Sequence, residues 1–218
     1  MTIGRRSFLI ALGGFAILPE IARAASSDPY GVQQRQEEWA AWKEAFLASD
    51  GRVIDHLQEG ASHSEGQGYG LLLSVHHGDR AAFDLIRSWT AANLMERPDG
   101  LLNWRRDPGA AAPEAWNATD GDIFYAWALS LGANRFDVPE ARSRAQTIAT
   151  AVAAHCLYPD PRDSARLLIL PAAEGYLRGT MAIVNPSYIM PRALHDLALL
   201  IREPRLAQAA EYGLNLLD

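Results

Sequence analysis

The sequence is poor in cysteine and in basic residues, and both shortages narrow the kinds of protein it can encode. Cys156 is the only cysteine among 218 residues, so no disulfide can form within the chain and a packed core must stabilise it. It follows a long apolar helical pattern and is predicted to be a core residue. The 20 Lys and Arg are outnumbered by 26 Asp and Glu, giving a formal net charge of −6. An acidic chain offers no support for binding nucleic acids or anionic membranes and suits a neutral ligand.

Long apolar runs are also scarce, and the one at the N-terminus indicates an export signal. Two arginines precede an apolar run from Phe8 to Leu18, and a small-residue site predicts cleavage after Ala24. The run is too short to cross a bilayer. The pair Arg5 and Arg6 in "RRSFL" is typical of a twin-arginine signal; an ordinary secretory signal that carries two arginines is the alternative. We expect a periplasmic or secreted protein with no membrane span after cleavage.

Signatures of several other enzyme classes are missing. His63, His76 and His77 are not spaced with acidic residues as in an H-E-x-x-H metal motif. The stretch "GQGYG" has no preceding strand pattern and no following Lys-Ser/Thr pair, which a phosphate-binding loop needs. No serine lies in a G-x-S-x-G motif. The sequence therefore predicts neither a metal ion nor an organic cofactor.

Helical periodicity dominates the rest of the chain and predicts an all-α protein. Trp39, Trp42 and Phe46 recur at spacings of three and four and form one apolar stripe. Six further helical patterns begin after Glu65 and at residues 78, 120, 139, 186 and 204, which makes seven helices in total. Asp79 is a predicted N-cap, and prolines open three of the helices. Pro191 should bend its helix or mark the boundary between two helices. Only "RLLIL" at 166–170 and the segment around "LLNWRR" look extended.

The connections between these helices alternate between very short and long. The dipeptide "GD" at 78–79 is the shortest, whereas the segment "ERPDGLLNWRRDPGAAAPEAWNAT" is among the longest. Long connections in compact domains are usually functional. Helical hairpins with long loops gathered at one end suggest a single-domain α/α toroid, in which inner helices form a barrel and loops form a cleft.

The stretch "SHSEGQGYG" at residues 62–70 places three glycines at alternate positions inside a predicted helix. Glycine destabilises a helix interior by about 1 kcal/mol relative to alanine, so this pattern needs a reason. One interpretation is structural, because Ser62 and Glu65 have the spacing of a capping box. The other is that Glu65 is a working carboxylic acid and that a ligand approaches the backbone closely beside it and Tyr69.

A second acidic stretch, "NATDGDIFYAWAL", follows the long loop that carries Trp104 and Trp116. Asp120, or the threonine before it, could cap the helix, because acids favour that end of the dipole. Asp120 and Asp122 could instead belong to a site. Carbohydrate chemistry needs this combination, because sugar faces stack on flat rings and paired acids transfer protons.

Five ordered blocks resemble glycoside hydrolase family eight, in particular its endoglucanases encoded beside bacterial cellulose synthases. They are "GRVIDHLQEGASHSEGQGYGLLL", "FDLIRSWTAANL", "GLLNWRR", "ATDGDIFYAWAL" and "NPSYIMPRAL". The resemblance extends from about Trp39 to Leu200. It departs at Tyr125, where the family signature prefers Ile or Met, which bears on local packing and not on chemistry.

The resemblance implies roles for particular residues. Glu65 matches the proton donor, and the glycines after it would let the backbone pass close to a bound sugar. Asp120 matches the second carboxylate, at the position given as the nucleophile, although in an inverting family it more plausibly binds and distorts the sugar. Trp104 and Tyr188 match an aromatic platform and a cleft tyrosine, and together with Tyr69 and Asp122 they complete the expected substrate-binding group. Within it, Asp122 is expected to support the start of its helix from a second layer.

The family further implies endo-acting hydrolysis of a β-1,4-glucan, such as cellulose, with the cellulose synthase complex as a partner. A chitosanase or xylanase is the alternative within the enzyme class, and a glucan-binding fragment without turnover is the alternative outside it. The catalytic domain would occupy residues 25–218. We expect it to be a C-terminally truncated toroid and a poor hydrolase, because no block matches the family's late catalytic base, which lies in an aromatic-Asp-Ala-x-Arg-like motif.

Overall fold

Within residues 31–216, the part of the chain that the structure describes, a computed structural model contains seven α-helices, as the periodicity predicts. They are α1 (Val32–Phe46), α2 (Ser64–His77), α3 (Arg80–Asn93), α4 (Thr119–Phe136), α5 (Pro139–His155), α6 (Pro191–Ile201) and α7 (Arg205–Asn215). By their contacts, the described residues up to Glu38 and those from Trp39 onward form two units. The proposed export signal, with its cleavage site, lies outside the described residues.

Local signals in the sequence explain where several helices begin and end. Asp79 is the N-cap of α3, since its carboxylate accepts a hydrogen bond from Ala82 N at 3.0 Å. Such a cap stabilises a helix by about 0.5–2 kcal/mol. Gly78 adopts the left-handed conformation, with φ of 70°, that ends α2. Pro191 is the first residue of α6 and follows a short 3-10 helix, Pro186–Tyr188, so it marks a boundary between two elements and does not bend one.

Within the described residues, three two-stranded antiparallel sheets lie in the connections between helices. They pair β1 (Ser62–His63) with β2 (Arg105–Arg106), β3 (Leu157–Asp160) with β4 (Asp163–Ile169), and β5 (Leu177–Arg178) with β6 (Met181–Ala182). The extended segments predicted at "RLLIL" and near "LLNWRR" are confirmed in β4 and β2. In the first sheet Ser62 lies opposite Arg106, and His63 lies opposite Arg105. This pairing fixes the long connection between α3 and α4 against the residues that precede α2.

The core lies between α2, α3, α4 and α5 and continues to α6 and α7. Its completely buried side chains include Leu71, Phe83, Ile86, Ile123, Tyr125, Leu129, Ile148, Leu194 and Leu197. Each large apolar side chain contributes about 1.5–3 kcal/mol when it is removed from water. Cys156 is buried in the same core, as predicted. Among the described residues, no helix is long and apolar enough to cross a membrane, and no cluster of acidic, His or Cys side chains could hold a metal ion.

Gly68 and Gly70 accommodate neighbouring parts of the protein, which corrects the expectation that these two glycines face a ligand. A Cβ at Gly68 would lie 2.8 Å from Phe124 Cβ, and one at Gly70 would lie 2.9 Å from a methyl group of Val53. Atoms this close must move, so glycine allows α2 to pack tightly on α4 and on the chain that precedes α2. Gly66 is different, since a Cβ there would make ordinary contact with Val53 at 3.7 Å.

Candidate active site

The site is built on two helix starts that lie side by side. Glu65 is the second residue of α2, Asp120 is the second residue of α4, and a glycine follows each. A Cβ at Gly121 would lie 2.7 Å from Ser64 Cβ and 2.8 Å from the backbone N of Glu65. The two helices can approach this closely only because residue 121 has no side chain. This contact brings Glu65 and Asp120 into one site.

Neither acid is a helix cap, so the capping interpretations are wrong. The N-cap of α2 is His63, whose side chain makes no capping hydrogen bond, and Ser62 lies one residue earlier, in β1. The N-cap of α4 is Ala118, which leaves Asp120 inside the first turn of the helix. Both carboxylates are therefore available for another role.

Asp120 is a nearly buried carboxylate whose proton affinity depends on its neighbours. It is 8% exposed, and its Oδ1 accepts a hydrogen bond from Gly121 N at 2.7 Å. Burial is the main cause that raises the pKa of Asp120 to about 6, and the negative charge of Glu65 adds to it. Hydrogen bonds from Gly121 N and from the Tyr188 hydroxyl act in the opposite direction. Asp120 therefore gains or loses its proton near neutral pH, and the Tyr188 hydroxyl donates a hydrogen bond to its carboxylate.

Glu65 is held by a residue one turn further along its own helix. The Tyr69 hydroxyl donates a hydrogen bond to Glu65 Oε1 at 2.7 Å. The Tyr69 ring packs against Phe124 of α4, with ring centroids 4.7 Å apart. Burial first, and then the hydrogen bond to Glu65, raise the pKa of Tyr69. The structure therefore places Glu65, Asp120, Tyr69 and Tyr188 in one electrostatically connected group.

Trp104 lies beside the start of α2. Its carbonyl oxygen accepts a hydrogen bond from Ser64 N at 2.9 Å, and its indole Nε1 donates to Glu114 Oε2 at 3.0 Å. Its ring packs against half-buried His63, with ring centroids 5.3 Å apart. Burial lowers the pKa of His63. The expected aromatic platform is therefore fixed next to the residue that precedes Glu65.

Asp122 does not reach the site surface. It is completely buried, and its two oxygens accept hydrogen bonds from Leu102 N at 2.7 Å and from Asn117 Nδ2 at 2.9 Å. Burial raises its pKa to about 7, and both hydrogen bonds oppose that rise. Asp122 ties the long loop to α4, which is the supporting role expected from the resemblance, and it cannot contact a ligand directly in this conformation.

A cavity of about 550 Å³ opens beside Glu65. Trp42, Phe46 and Tyr69 supply aromatic walls, and Asp55, His56 and Gln58 supply polar ones. Trp104 and Tyr188 are not among the lining residues of this cavity. Aromatic walls with a few polar groups are typical of a site for a neutral, ring-shaped ligand such as a sugar.

Sequence reasoning missed two residues that build the site. Gly121 allows the two helix starts to meet, and Asn117 bridges Asp122 to the segment after β4, since its Oδ1 accepts a hydrogen bond from Ala173 N at 2.8 Å. Both lie within or beside the acidic stretch "NATDGD". The alternation of Asp and Gly there was a usable signal for close packing, but the partner of Asn117 is far away in the sequence.

The arrangement places two carboxylates in different environments. Glu65 contacts a cavity and a tyrosine hydroxyl, whereas Asp120 is nearly buried and has a raised pKa. Pairs of acids whose surroundings differ in this way are used for proton transfer and for stabilising positive charge on a sugar ring.

Comparisons with known proteins identify relatives of this chain. The sequence matches the model of the Glycosyl hydrolases family 8 over residues 13–218. It is 33% identical over 214 residues to a probable endoglucanase of Novacetimonas hansenii, covering 97% of this chain and 61% of that protein. It is 37% identical over 158 residues to an endoglucanase of Cellulomonas uda, covering 71% of this chain and 43% of that one.

Solved structures give the same result. The endo-β-1,4-glucanase of Acetobacter xylinum superposes with a TM-score of 0.79 at 32% identity, over 85% of this chain and 58% of that one. An endo-β-1,4-glucanase from an Achatina fulica gut metagenomic library gives a TM-score of 0.76 at 31% identity, over 82% of this chain and 56% of that one. The likeness confirms the all-α toroid class, although the chain spans under two thirds of these relatives. The chain belongs to glycosyl hydrolases family 8.

Proposed function

We propose that this protein hydrolyses internal bonds of a β-1,4-glucan by an inverting acid/base mechanism. The observation that carries the proposal is the contact between Gly121 and Ser64, which places Glu65 beside Asp120 at two adjacent helix starts. Membership of the family supports the reaction class, and the similarity to proteins named endoglucanases supports the substrate class.

Glu65 is the proton donor in this mechanism. As a carboxylic acid it delivers its proton to the oxygen that leaves as the glycosidic C–O bond breaks. Water adds to the anomeric carbon from the opposite face of the ring and loses a proton to a base, which inverts the configuration of the product. The acid and the base of an inverting enzyme lie roughly 6.5–9.5 Å apart, which leaves room for that water.

Asp120 binds and orients the sugar at the cleavage point. Its carboxylate accepts hydrogen bonds from sugar hydroxyl groups once it has lost its proton, and its pKa of about 6 keeps most of it ionised at neutral pH. Tyr188 fixes the carboxylate from the other side. Trp104 offers a flat ring on which a sugar face stacks.

The proposed setting is the periplasm, or the exterior, of a cellulose-making bacterium. The N-terminal signal supports export, and the resemblance to enzymes encoded beside cellulose synthases supports trimming of nascent glucan near the synthase complex. The acidic sequence suits a neutral polysaccharide.

A substrate panel tests the proposal. We would incubate the purified chain, its Glu65→Gln variant and the Novacetimonas hansenii relative with carboxymethylcellulose, chitosan and xylan, and measure reducing ends and viscosity. We expect a preference for carboxymethylcellulose, a loss of viscosity that precedes the release of reducing ends, and no turnover by the variant. A preference for chitosan or xylan would overturn the substrate assignment. Binding of glucan with no turnover at any protein concentration would favour the non-catalytic alternative.

A further inference from the structure

The hydrogen bond between Tyr69 and Glu65 indicates a role for Tyr69 that the proposed function does not include. They lie four positions apart on α2, so they share one face of the helix. The hydroxyl donates specifically to Oε1, and the tyrosine ring is braced against Phe124 of the neighbouring helix. A hydroxyl braced in this way has a fixed direction, unlike the hydroxyl of a freely rotating surface side chain.

We propose that Tyr69 is a positioning residue for the general acid: it occupies Oε1 of Glu65 and leaves Oε2 as the oxygen that carries and delivers the proton. The inference rests on the proposed function of Glu65 as proton donor. A protonated carboxyl group has one carbonyl oxygen, which accepts hydrogen bonds well, and one hydroxyl oxygen, which donates. The Tyr69 hydroxyl on Oε1 selects that oxygen as the acceptor and so assigns the proton to Oε2.

Tyr69 continues to act after the proton has left. Its hydroxyl then donates to a carboxylate, and hydrogen bonds to a charged group are stronger than those to a neutral one. The same hydrogen bond therefore fixes the direction of the acid before transfer and stabilises the anion that transfer creates. A residue that only contacted substrate would affect neither the direction of the Glu65 carboxyl group nor the stability of its anion.

Other titratable groups lie near Glu65. The charge of Glu65 acts on Asp120 of α4, on Tyr188 of the 3-10 helix and on His63 of β1. The Tyr69 hydroxyl donates its hydrogen bond to Glu65 from a braced ring. Removing that hydroxyl while keeping the ring should therefore release the Glu65 carboxyl group from its fixed direction.

The Tyr69→Phe variant tests this directly. We would label glutamate side chains with ¹³C, follow the Glu65 carboxyl resonance by NMR from pH 3 to 9, and assign it with the Glu65→Gln variant. We expect the Glu65 carboxyl resonance to shift in Tyr69→Phe throughout this pH range, because Oε1 loses its hydrogen-bond donor. The matched control is Tyr158→Phe, which removes a hydroxyl from β3 and should leave that resonance unchanged. An unchanged Glu65 resonance in folded Tyr69→Phe would overturn the proposal.

A second measurement needs no change at residue 69. In the Glu65→Gln variant, the ring carbon that bears the Tyr69 hydroxyl should change its chemical shift, because the hydroxyl loses its charged acceptor. No response of that carbon to Glu65 would also overturn the proposal. Neither measurement requires turnover, so an inactive chain would count against the proposed function without affecting this test.

Kinetics supply the third measurement when turnover is detectable. Tyr69→Phe should lower kcat about tenfold with little change in KM, because orientation of the acid matters in the transition state. A change confined to KM would show that Tyr69 contacts substrate and does not position Glu65.

Discussion

Gly121 of α4 lies directly against Ser64 of α2, and this contact sets the position of the catalytic candidates. A Cβ at residue 121 would lie 2.7 Å from Ser64 Cβ and 2.8 Å from Glu65 N. Gly66 occupies the matching third position of α2, where a Cβ would find only an ordinary contact with Val53. Two glycines in equivalent helix positions therefore have different roles, and the difference can be measured.

Gly121→Ala should destabilise the protein, and Gly66→Ala should not. The added methyl group at residue 121 meets backbone and Cβ atoms that cannot rotate away, so we expect a loss of about 1–3 kcal/mol in the free energy of unfolding. Alanine at residue 66 should be neutral or stabilise by up to about 1 kcal/mol through helix propensity. Urea denaturation of both variants checks the prediction. Equal effects at the two positions would show that the helix starts are not closely packed.

Glu65→Gln should separate chemistry from stability. Glu65 is not a cap, so its loss removes only a favourable charge near the helix N-terminus, about 0.3–1 kcal/mol. A proton donor would lose on the order of 10²–10⁴-fold in rate. Thermal denaturation and turnover should be measured on this chain and on the equivalent variant of the Novacetimonas hansenii relative. Near-normal turnover in the relative's variant would remove Glu65 from the mechanism.

Asp120→Asn should stabilise the protein at neutral pH and flatten its pH dependence. The folded state raises the pKa of Asp120 from 3.8 to about 6, so it binds a proton more tightly than the unfolded chain does. Its contribution to stability is therefore lost as the pH rises from about 4 to 6, and the penalty above pH 6 is on the order of 2–3 kcal/mol. Denaturation at pH 4 and pH 7 checks this, with exposed Glu140→Gln as the control. A variant that is less stable at pH 7 would contradict the assignment.

Asn117→Ala should weaken the loop that carries the aromatic platform. It removes a donor to buried Asp122 and an acceptor for Ala173 N, so we expect a loss of about 2–3 kcal/mol in stability. The pKa of Asp122 should rise further, since the hydrogen bond from Asn117 lowers it. Exposed Asn134→Ala is the control and should change stability by less than about 0.5 kcal/mol. Denaturation of both variants, with NMR titration of Asp122, makes the comparison.

Replacing Arg5 and Arg6 with lysine should leave precursor in the cytoplasm if the N-terminus is a twin-arginine signal. Fractionation of cells that express each form, followed by detection of the cleaved product, measures export. Normal export of the double-lysine variant would indicate an ordinary secretory signal.

Much of the fold was predictable from local sequence patterns. The seven helices follow from apolar spacing, and Asp79, Gly78 and Pro191 mark helix ends because capping bonds, left-handed backbone and the missing N–H of proline act within a few residues. The burial of Cys156 followed from the apolar helix before it.

The site was predictable only in part. Glu65, Asp120 and Tyr188 were selected by resemblance to the family, and the structure brings them together with Tyr69. The capping interpretations were wrong because a capping-box spacing says nothing about which residue begins the helix. The glycines after Glu65 were assigned to a ligand, whereas Gly68 faces Phe124 across the interface with α4.

The sequence by itself determined which segments are helical, where they end and which acidic residues lie at helix starts, because those properties depend on neighbours within one or two turns. Only the tertiary structure decided that Gly121 contacts Ser64, that Asp122 is buried beneath Asn117, and that Tyr69 donates to Glu65 while braced against Phe124. These relationships depend on how α2 packs against α4, elements separated by more than forty residues of chain. Close packing is decided by the shapes of both surfaces at once, and a local pattern in one helix does not identify the partner that it packs against.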